Sequence, residues 1–223
     1  MFLIFFDFYF FLLLYKQDGK SLRKTPNTLR SGLYLSAEKV KKEGDAMKLW
    51  PILTGVAVSL ALVACKTPTP PQGVKPINHF DASRYLGRWY EVARLENRFE
   101  RGLEQVTATY SMRDDGGIRV LNRGFDPRNK RWRESEGKAY FTGASTTAAL
   151  KVSFFGPFYG GYNVIALDED YQYALVSGPG RDYLWLLSRT PDIPSHIRQQ
   201  YLALAAELGF AVNKLVWVPQ AKV

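Results

Sequence analysis

Cysteine and histidine, the side chains most often used for metal binding and nucleophilic chemistry, are scarce in this 223-residue chain. Cys65 is the only cysteine, which excludes an intramolecular disulfide and any zinc or iron–sulfur site built on several cysteines. The two histidines, His79 and His196, are too few for most histidine-rich metal sites. We therefore expect neither a metal nor a bound cofactor.

Motifs of hydrolytic and phosphate-binding enzymes are also missing from the sequence. It contains no Gly-x-Ser-x-Gly turn, no His-Glu-x-x-His and no glycine-rich phosphate loop. Glu134 and Glu136 stand two residues apart on one face of a predicted strand, which is more typical of a solvated surface than of a catalytic pair. We predict that the protein is not an enzyme.

The segment before Cys65 begins like a second N-terminus, with a possible initiator methionine. Met47 and Lys48 lead into an apolar run over residues 49–64, shorter than the roughly 20 residues a membrane-spanning helix needs. A positive start, a short apolar run and small residues at its end are typical of a signal peptide. The ending Leu-Val-Ala-Cys resembles the bacterial lipobox, whose cysteine thiol takes up diacylglycerol. We predict that residues 47–64 are a lipoprotein signal peptide and that Cys65 is the lipidation site.

Amino-acid composition predicts the boundaries of the remaining segments of the chain. A Phe/Leu-rich run near the start contains Asp7 and makes a poor membrane span. We interpret residues 1–46 as an extension upstream of the true initiator, Met47; an additional membrane anchor is the alternative. Residues 65–77 are predicted to be a Pro/Thr-rich tether, and residues 78–223 the folded domain.

Short β-prone segments separated by turn residues fill most of this domain. Leu150, Val152 and Phe154 alternate with polar residues, as a strand with two different faces requires. Eight consecutive strands joined by tight turns predict an all-β fold, an eight-stranded up-and-down antiparallel barrel, with two packed sheets as the main alternative. The predicted strands cover residues 88–95, 105–113, 118–125, 132–142, 149–155, 161–168, 172–177 and 183–189.

A single helix is predicted near the end of the chain. Apolar residues recur at helical spacing between Pro194 and Gly209, which suit the start and the end of a helix. We expect this C-terminal α-helix to pack its apolar stripe on the barrel wall, and a short final strand near residues 214–218 to follow. The stripe consists of Ile197, Tyr201, Leu204, Ala205 and Leu208.

Three motifs give the domain a resemblance to the lipocalin family, and closely to its bacterial outer-membrane lipoproteins. The segment containing Gly87 and Trp89 is similar to the family's opening Gly-x-Trp motif, Asp170-Tyr171 to the second motif, and Arg189 to the third. The resemblance covers about residues 78–220. It implies that Trp89 and Arg189 pack together across the closed base of the barrel, a cation–π contact worth about 0.5–2 kcal/mol.

The resemblance also implies a lipid ligand, either a fatty acid such as palmitate or a lysophospholipid. Burying an acyl chain is favourable by about 0.8 kcal/mol per methylene group. Aromatic residues interleaved with small ones suit an apolar cavity with a few hydroxyl groups. The candidate ligand-binding residues are Tyr110, Tyr140, Phe141, Phe154, Tyr162, Tyr173 and Trp185.

Lipidation of Cys65 implies anchorage in the outer membrane, on its periplasmic face. In the family an Asp after the cysteine favours the inner membrane, whereas this chain has Lys66. The function implied is storage or transport of lipids for maintenance of the cell envelope. Two alternatives stay open: a structural envelope lipoprotein without a ligand, and a carrier of haem or another hydrophobic ligand.

The charge pattern gives further expectations about partners. The formal net charge is +9, but the basic residues form no stripe typical of nucleic-acid binding, so no nucleic-acid partner is expected. The sequence leaves open whether the protein forms a homodimer. Several basic residues in or beside predicted turns could meet the phosphate or carboxylate of a ligand: Arg123, Arg128, Lys130, Arg131 and Arg133.

Overall fold

A computed structural model of the chain describes residues 67–221. The predicted extension 1–46, the signal peptide 47–64 and the lipidation site Cys65 lie outside the described residues. The described elements, in chain order, are α1 (Ala82–Tyr85), β1 (Gly87–Leu95), β2 (Glu104–Met112), β3 (Ile118–Asp126), β4 (Arg131–Phe141), β5 (Ala149–Phe155), β6 (Phe158–Leu167), β7 (Tyr173–Ser177), β8 (Leu184–Ser188), α2 (Ser195–Glu207), a 3₁₀ turn (Val212–Lys214) and β9 (Leu215–Trp217).

The sheet closes on itself through β1. This strand is hydrogen-bonded to β8 along one edge and to β2 along the other, and all remaining consecutive strands pair antiparallel. Eight strands therefore form an up-and-down barrel, which confirms the predicted architecture against two packed sheets. Strand β9 pairs with the second half of β1, Ala93–Leu95, beyond the part of β1 that pairs with β2.

The two ends of the barrel differ. At the end where β1 begins, Phe80 and Tyr85 pack into the interior. Asp81 caps the start of α1, and its carboxylate accepts a 2.8 Å hydrogen bond from the Ser83 amide. The β2–β3, β4–β5 and β6–β7 turns share this closed end, since the strands alternate in direction. The open end carries the other four loops, residues 96–103, 127–130, 156–157 and 178–183.

Apolar side chains form two clusters, one on each face of the sheet. The inner cluster surrounds Trp89 and Tyr110, whereas the outer cluster lies between the barrel wall and α2. Tyr201 and Ala205 of α2 are buried there, and the Tyr201 hydroxyl donates a 3.0 Å hydrogen bond to the Tyr173 carbonyl. The predicted packing of the C-terminal helix on the wall is confirmed.

Candidate functional site

The closed base is built around the contact between Trp89 and Arg189 that the resemblance implies. The Arg189 guanidinium lies 3.9 Å from the centre of the Trp89 ring. It also donates hydrogen bonds to the carbonyls of Arg84, Arg88 and Tyr171, at 2.8, 2.9 and 3.2 Å. One side chain therefore ties α1, β1 and the β6–β7 turn together across the base.

Gly87 and Tyr171 occupy unusual backbone conformations beside this contact. Gly87 has φ of +90°, and a Cβ atom there would lie 3.4 Å from the Arg189 guanidinium, which favours glycine. Tyr171 has φ of +58°, and its hydroxyl accepts a 2.9 Å hydrogen bond from the Asp81 amide. Asp170 is exposed in the β6–β7 turn, where its amide donates to the Asp168 carboxylate. The motif residues thus hold the base closed.

Three tyrosine hydroxyl groups meet inside the barrel above the base. The Tyr162 hydroxyl lies 2.7 Å from that of Tyr85 and 2.9 Å from that of Tyr110. Burial raises the pKa of all three phenols, so they stay neutral at physiological pH. They provide a neutral polar spot among the apolar side chains that surround the base.

Inward-facing side chains above the base keep part of their surface exposed. Tyr110 and Val120, near the base, are buried, whereas other members of the inner cluster are only half-buried. Partial exposure on the inner wall of a closed barrel means that the interior is not filled by side chains. The half-buried residues that pack against this cluster include Ala108, Val152, Phe154, Tyr162 and Trp185 above the base, and Phe141 beside Phe80 at the base.

A charged cluster lies on the inner wall towards the open end. The Arg94 guanidinium donates to the Glu91 carboxylate at 2.8 Å and to the Glu100 carbonyl at 2.6 Å. The Glu100 carboxylate accepts hydrogen bonds from the Trp185 indole, at 3.0 Å, and from the side-chain amide of Asn97. Through these bonds the 96–103 loop is fastened to the inner wall.

A bulge in β1 explains how two charged side chains of one strand share this cluster. The register of β1 against β8 shifts between Glu91 and Ala93, so Glu91 and Arg94 both face inwards although they are three residues apart. Both are almost fully buried. Burial, together with the nearby Glu100 carboxylate, raises the pKa of Glu91 well above its usual range, although Arg94 opposes the shift.

Five of the seven candidate ligand-binding residues face the interior. Tyr110, Phe141, Phe154, Tyr162 and Trp185 all belong to the inner cluster or pack against it. The structure therefore brings together residues from five different strands, as a single binding cavity requires.

The other two candidates, Tyr140 and Tyr173, lie outside the barrel. The Tyr140 hydroxyl donates to Asp115 at 2.8 Å in the β2–β3 turn, because Tyr140 points away from its inward neighbours Ala139 and Phe141. Tyr173 packs in the outer cluster under α2. These two residues do not join the other five.

Sequence reasoning missed the charged cluster and Tyr85. A signal for the cluster is present: Glu91 and Arg94 interrupt a strand that is otherwise apolar after Tyr90. Charged residues are seldom buried unless they are paired, so their position in a central strand marks a specific arrangement. Tyr85 gives no such signal, because it lies in a helix of four residues, too short to show periodicity.

Across residues 67–221 no group of three or more His, Cys, Asp or Glu side chains is arranged to hold a metal ion. Within the same residues, no helix combines the length and the apolar composition needed to cross a bilayer.

Comparisons with known proteins agree with this architecture. The lipocalin-like domain pattern matches residues 80–220. Outer membrane lipoprotein Blc of Citrobacter freundii is 63% identical over 174 residues, which is 78% of this chain and 98% of that protein. The protein of the same name from Escherichia coli K12 is 62% identical with the same coverage. The structure of insecticyanin from the tobacco hornworm superposes with a TM-score of 0.56 at 22% identity, over 70% of this chain and 89% of insecticyanin. The chain therefore belongs to the lipocalin family.

Proposed function

We propose that this protein is a lipid carrier of the outer membrane, which holds one fatty acid or one lysophospholipid in its barrel and is anchored by lipid on Cys65. The observation that carries the proposal is the partly exposed apolar inner wall above a sealed base. An interior of this kind, open at one end, suits a ligand with a long apolar tail and a polar head.

The inner wall offers an apolar path from the mouth to the base. Phe154, Val152 and Trp185 line it, and each methylene group buried there contributes about 0.8 kcal/mol, so ten of them contribute roughly 8 kcal/mol before ordering costs. The charged cluster at Arg94 and the tyrosine hydroxyls give the ligand's polar atoms two places to bind. A ligand of this size fits an eight-stranded barrel.

The names and the extent of the related proteins support the membrane anchor. Both bacterial relatives are called outer membrane lipoproteins. A match of 174 residues within a 223-residue chain reaches residue 50 or an earlier position, so it includes Cys65. This extent also supports Met47 as the initiator. We infer that the mature protein begins at Cys65, on the periplasmic face of the outer membrane.

Native mass spectrometry of the delipidated protein tests ligand binding. We expect one equivalent of palmitate and one equivalent of a palmitoyl lysophospholipid to bind in competition with each other. Binding of neither lipid would contradict the proposal and favour a structural lipoprotein, whereas binding of haem alone would favour the haem carrier. The same spectra report the mass of any homodimer.

Cell fractionation tests the anchor. Full-length protein with Cys65→Ser is expected to leave the membrane fraction, because the thiol that carries the lipid is missing, while the unmodified chain stays in the outer-membrane fraction. Lys66→Asp is the matched variant, since it keeps the thiol and is expected to move the protein towards the inner membrane. Retention of Cys65→Ser in the outer membrane would contradict the anchor.

A further inference from the structure

The hairpin formed by β3 and β4 carries a concentration of positive charge at the open end. We call residues 123–134 the rim hairpin. The segment holds five basic and two acidic residues, and one of the acidic residues, Asp126, is buried and accepts hydrogen bonds from the turn amides of Arg128 and Asn129. The rim hairpin therefore has a formal net charge of +3, and its other acidic residue, Glu134, pairs with Arg123 at 3.3 Å. Its basic residues are Arg123, Arg128, Lys130, Arg131 and Arg133.

An exposed tryptophan stands among these basic side chains. Trp132 is 43% exposed, its ring lies 5.5 Å from that of Phe125, and the Arg123 guanidinium stacks on it at 4.0 Å. Tryptophan and arginine side chains with an apolar body and a polar tip favour the boundary between water and lipid. The rim hairpin combines this aromatic surface with positive charge.

The rim hairpin extends beyond the neighbouring β5–β6 hairpin. Strand β4 pairs with β3 from Arg131 to Ala139, but with β5 only from Lys138 to Phe141. If this pairing continued in the same register, the last residue of β5, Phe155, would lie beside Glu136. Arg131 lies five residues further along β4, a distance of about 17 Å. The positive tip can therefore reach a flat surface before the rest of this side of the barrel does.

The segment that leads to Cys65 reaches the barrel at the same end. Arg181, in the 178–183 loop, donates hydrogen bonds to the carbonyls of Gln72 and Leu208, at 2.6 and 2.7 Å. Gln72 is seven residues from Cys65, so an extended chain between them spans at most about 25 Å. A membrane anchor on Cys65 would keep the open end within that distance of the lipid.

We propose that the rim hairpin docks on an anionic lipid surface, so that the open mouth of the barrel faces the membrane. Positive charge is complementary to anionic headgroups, and Trp132 enters the interfacial layer. Ligands then pass between the bilayer and the barrel without crossing open water. This orientation goes beyond the proposed function, because it concerns the membrane surface and holds for any lipid cargo.

Vesicle binding tests the docking surface without the covalent anchor. The described residues 67–221 belong to one compact unit, which contains the nine-stranded sheet and both apolar clusters, so the protein from residue 65 onward with Cys65→Ser is the starting protein. We expect it to bind phosphatidylglycerol vesicles, to bind phosphatidylcholine vesicles weakly, and to lose binding as salt rises. Equal binding to both vesicles, or to neither, would overturn the proposal.

Paired substitutions locate the surface. The double variant Arg128→Gln/Lys130→Gln should partition about thirtyfold more weakly, because each Lys or Arg near an anionic surface contributes about a fivefold factor. The control Arg88→Gln/Arg119→Gln removes the same charge from exposed residues towards the closed end and should change partitioning about twofold or less. An equal loss in the two double variants would contradict the assignment to the rim hairpin.

A position-specific label reports orientation directly. The starting protein has no other cysteine, so a fluorophore can be attached through Arg128→Cys at the rim or Asp114→Cys in the closed-end turn. Quencher-bearing lipids should quench the label at position 128 and leave the label at position 114 bright. The reverse pattern, or equal quenching, would overturn the orientation. Palmitate binding by the same variants, measured by native mass spectrometry, separates a failure of docking from a failure of the proposed cargo.

Discussion

The guanidinium of Arg189 lies 3.9 Å from the ring centre of Trp89 while donating hydrogen bonds to three backbone carbonyls. The two residues are a hundred positions apart in the chain, and their contact joins the first strand to the segment after the last barrel strand. It seals one end of the barrel, and the mouth is therefore at the other end.

Arg189→Lys is expected to destabilise the domain by about 2–4 kcal/mol, because a lysine ammonium cannot bond three carbonyls in a plane or stack on an indole. Urea denaturation measures the change. Arg88→Lys is the control, since its exposed side chain leaves the carbonyl at position 88 in place. Similar stabilities for the two variants would argue against Arg189 as the residue that closes the base.

Ala108→Trp should weaken palmitate binding about tenfold or more, because the new ring occupies space on the half-buried inner wall. Thr109→Trp places the same ring on the outer face, one residue along the strand, and should bind palmitate as the unmodified protein does. Native mass spectrometry gives both affinities, and circular dichroism checks folding. If both variants bind normally, the ligand does not occupy the barrel.

Tyr162→Phe should destabilise the protein by about 1–3 kcal/mol, because the hydroxyls of Tyr85 and Tyr110 lose their shared partner in a buried setting. Thermal and urea unfolding measure this loss. Tyr159→Phe removes a hydroxyl from the outer face, where the ring contacts Tyr140 and Lys151, and should change stability by less than about 0.5 kcal/mol. A loss no larger than that of the control would mean that the three hydroxyls are not coupled.

Stability should fall as the pH rises above the ordinary range of a carboxyl pKa, because of Glu91. Burial and Glu100 raise the pKa of this carboxyl, so the folded state keeps a proton that the unfolded chain has already released in this range. Glu91→Gln mimics the protonated form and should make the urea midpoint less dependent on pH.

Glu136→Gln is the matched control for this pH dependence. Arg119 lowers the pKa of Glu136, so its contribution to stability is complete above the ordinary carboxyl pKa and is lost only at lower pH. This variant should keep the pH dependence of the unmodified protein above the ordinary carboxyl pKa. If Glu91→Gln also keeps the pH dependence of the unmodified protein, a group other than Glu91 causes that dependence.

The direction of individual tyrosines shows where sequence patterns stop being informative. Strand β7 is buried on both faces, since α2 covers its outer side, so alternation within it does not show which residues face inwards. Tyr173, a candidate for the cavity because it is aromatic, packs in the outer cluster. Tyr140 and Phe141 are adjacent and were both predicted inside, although the pleat of a strand allows only one of them to be there.

The charged cluster depends on tertiary structure for a different reason. Glu91 and Arg94 share a face because of the bulge in β1, and Glu100 reaches them because the 96–103 loop folds back over the mouth. Neither the bulge nor the loop conformation leaves a regular pattern in the sequence.

The number and order of the strands and the helix on the wall were determined by the sequence, because turn residues and alternation are local features. The Trp89–Arg189 pair followed from the resemblance of three spaced motifs to the lipocalins. Which side chains line the cavity, how charges are buried at the mouth, and where the Gln72 segment meets the barrel were decided by the tertiary structure alone. The physical reason is that bulges, a covering helix and a folded loop each change the environment of a residue without changing its neighbours in the chain.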